Sequence, residues 1–122
     1  MENISAEEKQ QSIEAFLSII RKSENALAHM KPGAPQTKLL EKRLKAARIG
    51  ADVLDARWEG KGKGLDVSKK DLKEAKEVLE GLLLTLPSFL EKLKSGSGQR
   101  TYIERRIKAF QIAVSYLNDS VN

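Results

Sequence analysis

His29 is the only histidine and cysteine is absent, so the residues that most often carry chemistry are nearly missing from this chain. A histidine-cluster metal site and a thiolate site are excluded, and a triad built on His29 has no readable partner. The carboxylates Asp52, Asp55, Glu59, Glu74 and Glu77 could pair for acid-base work or hold a cation. They lack the Glu-x-x-His spacing of bundle metal sites and share their helix faces with lysines, so they read as solvated. GKGKG at 60–64 lacks the GxxxxGK[ST] order of a phosphate-cradling loop and follows no strand; it reads as a flexible linker. With no nucleophile, base and orienting group at readable spacing, the expectation is a protein that is not an enzyme and needs no metal or cofactor.

Cations are what the chain has in quantity. It carries 22 Lys and Arg against 17 Asp and Glu, a net charge of +5, and they are unevenly placed. Residues 21–48 and 85–110 together sum to +10 and the remainder to −5. Positive charge at the end of a helix complements its dipole. Lys38, Lys42 and Arg43 near one expected helix start, and Arg100, Arg105 and Arg106 near another, oppose that preference and need another reason. Solubility or loose ion pairing between helices would supply one, as for most charged helix faces; the other is an anionic partner, for which Lys38, Lys42, Arg43, Lys45, Arg48, Arg100, Arg105, Arg106 and Lys108 are the candidate residues. Tyr102 lies among three of these arginines, where an aromatic could stack a base while cations hold phosphates; the plainer reading is a tyrosine at the edge of the core.

The elements that must position these residues are legible from periodicity. Residues 68–94 place Leu72, Ala75, Leu79, Leu82, Leu86, Leu90 and Leu93 at steps of three and four, one face of a helix. Ser68 and Asp71 have capping-box spacing, and Val67 with Leu72 that of a hydrophobic staple. A first helix, about 5–30, starts at the Ser5/Glu8 pair and carries Ile13, Phe16, Ile20, Leu27 and Met30, with Leu17 beside them. KPGAP at 31–35 stops it. The second, about 35–59, turns Leu40, Leu44, Ala47, Ala51, Leu54 and Trp58 inward, and its alanines allow a neighbour close. The fourth, about 101–120, starts at a third capping-box match, Thr101 with Glu104, and carries Ile103, Ile107, Phe110, Val114, Leu117 and Val121. Pro87 removes the amide that would bond the Leu83 carbonyl, so the third helix is expected to kink there, or to break in two.

Four amphipathic helices joined by short loops specify an all-α fold: one domain over 1–122, an antiparallel, up-down-up-down four-helix bundle. The two halves share the order helix, tight turn, helix, without a convincing internal repeat. In that topology the ends of helices one and three meet the starts of two and four, so the two basic stretches should lie side by side at one pole.

Three stretches invite comparison with known families. His29, Lys31 and Gly33 in ALAHMKPG resemble the His-x-Leu-Lys-Gly setting of histidine phosphotransfer domains, which are also four-helix bundles. Here the lysine is displaced by one position and Pro32 interrupts the helix, which leaves His29 as a helix-end histidine. Trp58, Glu59 and Gly60 are similar to the Trp-x-Gly turn of the small secreted WXG100 hairpin proteins. Their tail motif of tyrosine and a following acid is not met, since Tyr116 is followed at that distance by Ser120; Trp58 is more simply a core residue closing one end. In size and architecture alone the chain resembles bacteriocin immunity proteins.

The expected function is protein interaction through the basic pole, with an acidic protein as partner. Direct nucleic-acid binding is the alternative, an immunity-type role a further one, and self-association of opposite poles is a third form of partnership. MENISAEEKQQ is polar and does not read as a signal peptide, no apolar run approaches the roughly 18 residues of a membrane span, and the absence of cysteine suits a reducing compartment, so the expected location is cytoplasmic.

Overall fold

The computed structural model describes residues 4–59 and 67–121; the GKGKG segment, Gly60 of the Trp-Glu-Gly stretch and the side chain of Val121 lie outside the described residues. Four helices follow in order: α1 (Ala6–Leu27), α2 (Pro35–Glu59), α3 (Lys69–Leu90) and α4 (Gly98–Val121). The architecture is the expected antiparallel four-helix bundle. Helices adjacent in sequence pack together, α4 also closes on α1, and α2 and α4 meet across a short diagonal while, among the described residues, α1 and α3 stay apart.

Small residues make that diagonal short. Along α2, Ala46, Ala47, Gly50 and Ala51 are buried, and along α4 so are Ala109 and Ala113, which lets the two backbones approach. Phe16 sits over Gly50, where a Cβ would come within 2.6 Å of its ring, and stacks at a tilt on Phe110 with ring centroids 5.4 Å apart. Phe16, Leu54, Leu79, Phe110 and Leu117 are the largest fully buried side chains, each removing of order 1.5–3 kcal/mol of apolar exposure from water. The apolar stripes read from periodicity supply most of this core. Ile49, Val53 and Tyr116 are buried as well, outside those stripes, and Leu17 is exposed.

Termini follow local chemistry. Ser5 and Glu8 form a complete capping box on α1. Ser68 caps α3 through the Asp71 amide, while the Asp71 carboxylate takes Lys45 at 3.0 Å. The Thr101/Glu104 match is not the start of α4: that helix begins three residues earlier, and the Ser97 hydroxyl accepts from the Arg100 amide at 3.1 Å. Pro87 does not break α3, which continues to Leu90; the Thr85 and Ser88 hydroxyls donate back to the Leu82 and Thr85 carbonyls.

Both hairpin turns take the same form. After α1 the His29 and Met30 amides bond the Ala26 and Leu27 carbonyls, and after α3 the Lys92 and Leu93 amides bond those of Phe89 and Leu90. Gly33 and Gly96 then each adopt φ of 83°, the left-handed region that glycine enters without a steric cost. The two glycines stand 63 positions apart, and at that offset the hairpins align throughout. LLEKRLKAARIGADVLD of α2 matches YIERRIKAFQIAVSYLN of α4, Ser5 matches Ser68, and Phe16 matches Leu79. The contacts between hairpins match too, since Lys45–Asp71 and Lys108–Glu8 are the same ion pair made twice. The bundle is thus two copies of one helical hairpin joined by an isologous, approximately two-fold interface, a repeat that the order of elements only hinted at.

Candidate anion-binding surface

Antiparallel packing gathers the two basic stretches at the pole where α1 and α3 end and α2 and α4 begin. Arg21, Lys31, Lys38, Lys42, Arg43, Lys92, Lys94 and Arg105 are exposed there. Among the described residues none of the eight has a carboxylate within 4.0 Å.

The nine residues singled out from the sequence divide sharply on inspection. Lys45 is paired with Asp71, Arg48 with Glu24, and Lys108 with Glu8, all partway along the helices rather than at the pole. Their charge is spent on holding neighbouring helices together. Arg100 is a helix cap: its guanidinium donates to the Leu90 carbonyl at the end of α3 at 2.7 Å and to that of Leu93 in the following turn at 3.3 Å, a charge-assisted contact with the negative end of the helix, and it also lies 3.4 Å from Glu104. That explains why a cation stands near the start of α4. Lys38, Lys42, Arg43 and Arg105 remain without ion pairs among the described residues. The two-fold relation sends two of these to different sides of the molecule, Lys42 to a groove between α2 and α3 with Leu39 and Gly81, and Arg105 to a groove between α1 and α4 with Ser18 and Tyr102. Arg43 lines the Lys42 groove as well, and together with Arg106, its counterpart in the repeat, it also lines one cavity.

Tyr102 is more than an edge residue. Its hydroxyl lies 2.7 Å from Ser18 Oγ and accepts from Lys22 Nζ at 3.0 Å and from Arg106 Nη2 at 2.7 Å. Lys22 and Arg106 also stand 4.5 and 4.8 Å from the ring centroid. Burial pushes the phenol up, but the hydrogen bonds from Lys22 and Ser18 and the charges of Arg106 and Lys22 outweigh it and bring its pKa down to about 8. With both cations against it, the ring is committed to its own side-chain cluster, which weakens the base-stacking reading. Position 39, its counterpart in the other hairpin, is an exposed leucine.

The opposite pole is closed by aromatic packing. Trp58 donates to the Tyr116 hydroxyl at 2.9 Å and meets its ring edge-on, and Arg57 lies 4.1 Å above the Tyr116 ring and 3.4 Å from Asp119. Trp58 thus has the end-closing role expected of it, and His29 is an exposed turn residue just past α1. Among the described residues no group of acids and histidine could hold a metal ion. Among the described residues no helix is long and apolar enough to cross a membrane. Comparison with protein-family models, curated proteins and solved structures returned no match.

Proposed function

We propose that this protein is a non-enzymatic interaction module whose basic pole takes an acidic segment of another protein. The observation that carries the reading is the convergence at that pole of exposed cations from α1, α2 and α4 and from both turns, none of them in an ion pair among the described residues. Desolvating a carboxylate against unpaired cations is far cheaper than breaking existing pairs to reach them.

A protein segment is favoured over nucleic acid by what lies between the cations. Leu39 is 50% exposed, Leu84 84% and Phe89 53%, all on the half of α2 or α3 nearest the basic pole, and apolar side chains among cations suit a chain that alternates carboxylates with leucines. In an NMR titration, a Glu/Leu-rich peptide should shift the amides of residues 38–43 and 84–94, and Lys38→Glu with Lys42→Glu should weaken it at least tenfold. A short oligonucleotide should bind more weakly, with a steep salt dependence from counterion release. Binding of the oligonucleotide in preference to the peptide would move the protein to the nucleic-acid class, and silence toward both would leave the pole an ordinary solvated surface.

A further inference from the structure

A second binding feature lies inside the bundle, on the approximate two-fold axis. All four helices line a cavity of about 220 Å³ near the basic pole. Its walls are apolar, with Leu40 and Phe110 from the short diagonal and Ile19, Leu79 and Leu82 from the flanking helices, yet its rim carries Lys22, Arg43 and Arg106. No carboxylate among the described residues lines it.

Arginine at those two places is contrary to the pattern of the core. On α2 the inward seam runs Leu40, Arg43, Ala47, Gly50, Leu54, and on α4 Ile103, Arg106, Phe110, Ala113, Leu117, at steps of three and four. One arginine therefore occupies the same seam position in each hairpin, and the two-fold relation turns both onto one cavity. Like charges converging on the rim of one apolar cavity repel each other unless an anion stands between them. Among the described residues Arg43 has no ion-pair partner, and Arg106 Nε is buried with no hydrogen-bond partner, the kind of orphaned donor that a bound acceptor satisfies. Sites at variance with local folding rules are where function is expected.

We infer that this cavity binds a small amphiphilic anion, a carboxylate or phosphate carried on a short apolar chain, with Arg43, Arg106 and Lys22 on the headgroup and the chain against Leu79, Leu82 and Phe110. The cavity is smaller than the roughly 300–1,000 Å³ of sites for drug-sized ligands, so the chain is short. Guanidinium groups hold such headgroups by paired N–H donors. The proposal stands apart from the acidic-partner reading, which rests on Lys38, Lys42 and their exposed neighbours.

Calorimetric and NMR titrations of the full chain with octanoate, octyl phosphate, octanol, acetate and inorganic phosphate test it. Octanoate or octyl phosphate should bind saturably and shift the amides of residues 40–47, 79–86 and 103–110; preference between the two identifies the headgroup. Octanol, acetate and inorganic phosphate should each bind at least tenfold more weakly. Arg43→Met and Arg106→Met, which keep a long apolar stem at the seam, should each cost tenfold or more in octanoate affinity with an unchanged circular dichroism spectrum. Octanol binding as tightly as octanoate, full affinity in either variant, or no saturable binding by either amphiphile would overturn the assignment.

Discussion

At the scale of single residues, the packing of Phe16 on Gly50 shows how the two hairpins differ in sequence while each keeps its fit. A methyl group at position 50 would stand 2.6 Å from Phe16 Cε1 and 2.8 Å from Cζ, and Phe16 is fully enclosed and cannot swing away. Alanine in a helix interior is worth about 1 kcal/mol over glycine, but overpacking a tight core costs about 1–3 kcal/mol. Gly50→Ala should therefore destabilise by about 1 kcal/mol in urea unfolding. The other hairpin carries Leu79 and Ala113 at the equivalent positions, the smaller side chain paired with the residue that has a Cβ. Adding Phe16→Leu to Gly50→Ala should accordingly cost less than the sum of the two changes made singly. Tyr102 gives a prediction in pH. A folded-state phenol near 8 against the ordinary 10 means that the fold favours the ionised form, so stability is gained as pH climbs from about 8 toward 10 and is absent below 8. The full shift corresponds to about 2.7 kcal/mol at 1.36 kcal/mol per unit; with the phenol standing partly in water, under about 1 kcal/mol should be seen. In a spectrophotometric titration Tyr102 should ionise with a midpoint near 8, and Lys22→Met should move that midpoint back toward 10. Neither feature was legible in the sequence, because both depend on which side chains from α1 meet which from α2 and α4.

At the scale of elements, helix identity and order were legible because apolar spacing and turn residues report them directly, whereas helix ends were not. The first and third helices were expected to run to about 30 and 94, and they stop at Leu27 and Leu90. In both, two further amides bond the carbonyls three residues back before the glycine turn, a tightening of the last turn to which an apolar stripe is blind, since Met30 and Leu93 still pack partly inward. The start of α4 was misplaced for a related reason. Ser97 stands next to two glycines, and its capping role is visible only once Gly96 is seen to carry the left-handed turn. Arg100 then falls where its side chain can reach back to the end of α3. Arg100→Met should cost about 1 kcal/mol, because two charge-assisted bonds to carbonyls are lost at a half-buried site, and the loss should appear as faster amide exchange confined to residues 88–96. A uniform change in exchange across the bundle would mean that Arg100 acts on the whole fold rather than as a cap.

At the scale of the whole molecule, the repeat decides which cations meet. The linear sequence placed Lys42, Arg43, Arg105 and Arg106 in two similar runs and implied one continuous basic patch; a two-fold axis between the hairpins sends Lys42 and Arg105 to separate grooves and brings Arg43 and Arg106 to a shared cavity. Candidate residues could be named from charge alone, but this sorting could not. Nor could the capture of Lys45, Arg48 and Lys108 by acids of neighbouring helices, because it depends on the register between helices. The same axis makes the two seam arginines energetically coupled. Replacing Arg43 with methionine removes a like charge from the cavity rim and breaks no ion pair, so it should raise the free energy of unfolding by about 0.5–1 kcal/mol. Arg106→Met gives up the 2.7 Å bond to Tyr102 along with the repulsion and should be close to neutral. Once either arginine is gone the repulsion is already relieved, so the gain from Arg43→Met should largely vanish in the Arg106→Met background. Because Arg43 reaches water, the coupling should shrink as salt rises to about 1 M, where the screening length falls to about 3 Å. A double-mutant cycle in urea at low and high salt measures this directly. Strict additivity at low salt would mean that the two guanidinium groups do not sense one another and that the repeat places them near a common cavity without consequence for its charge.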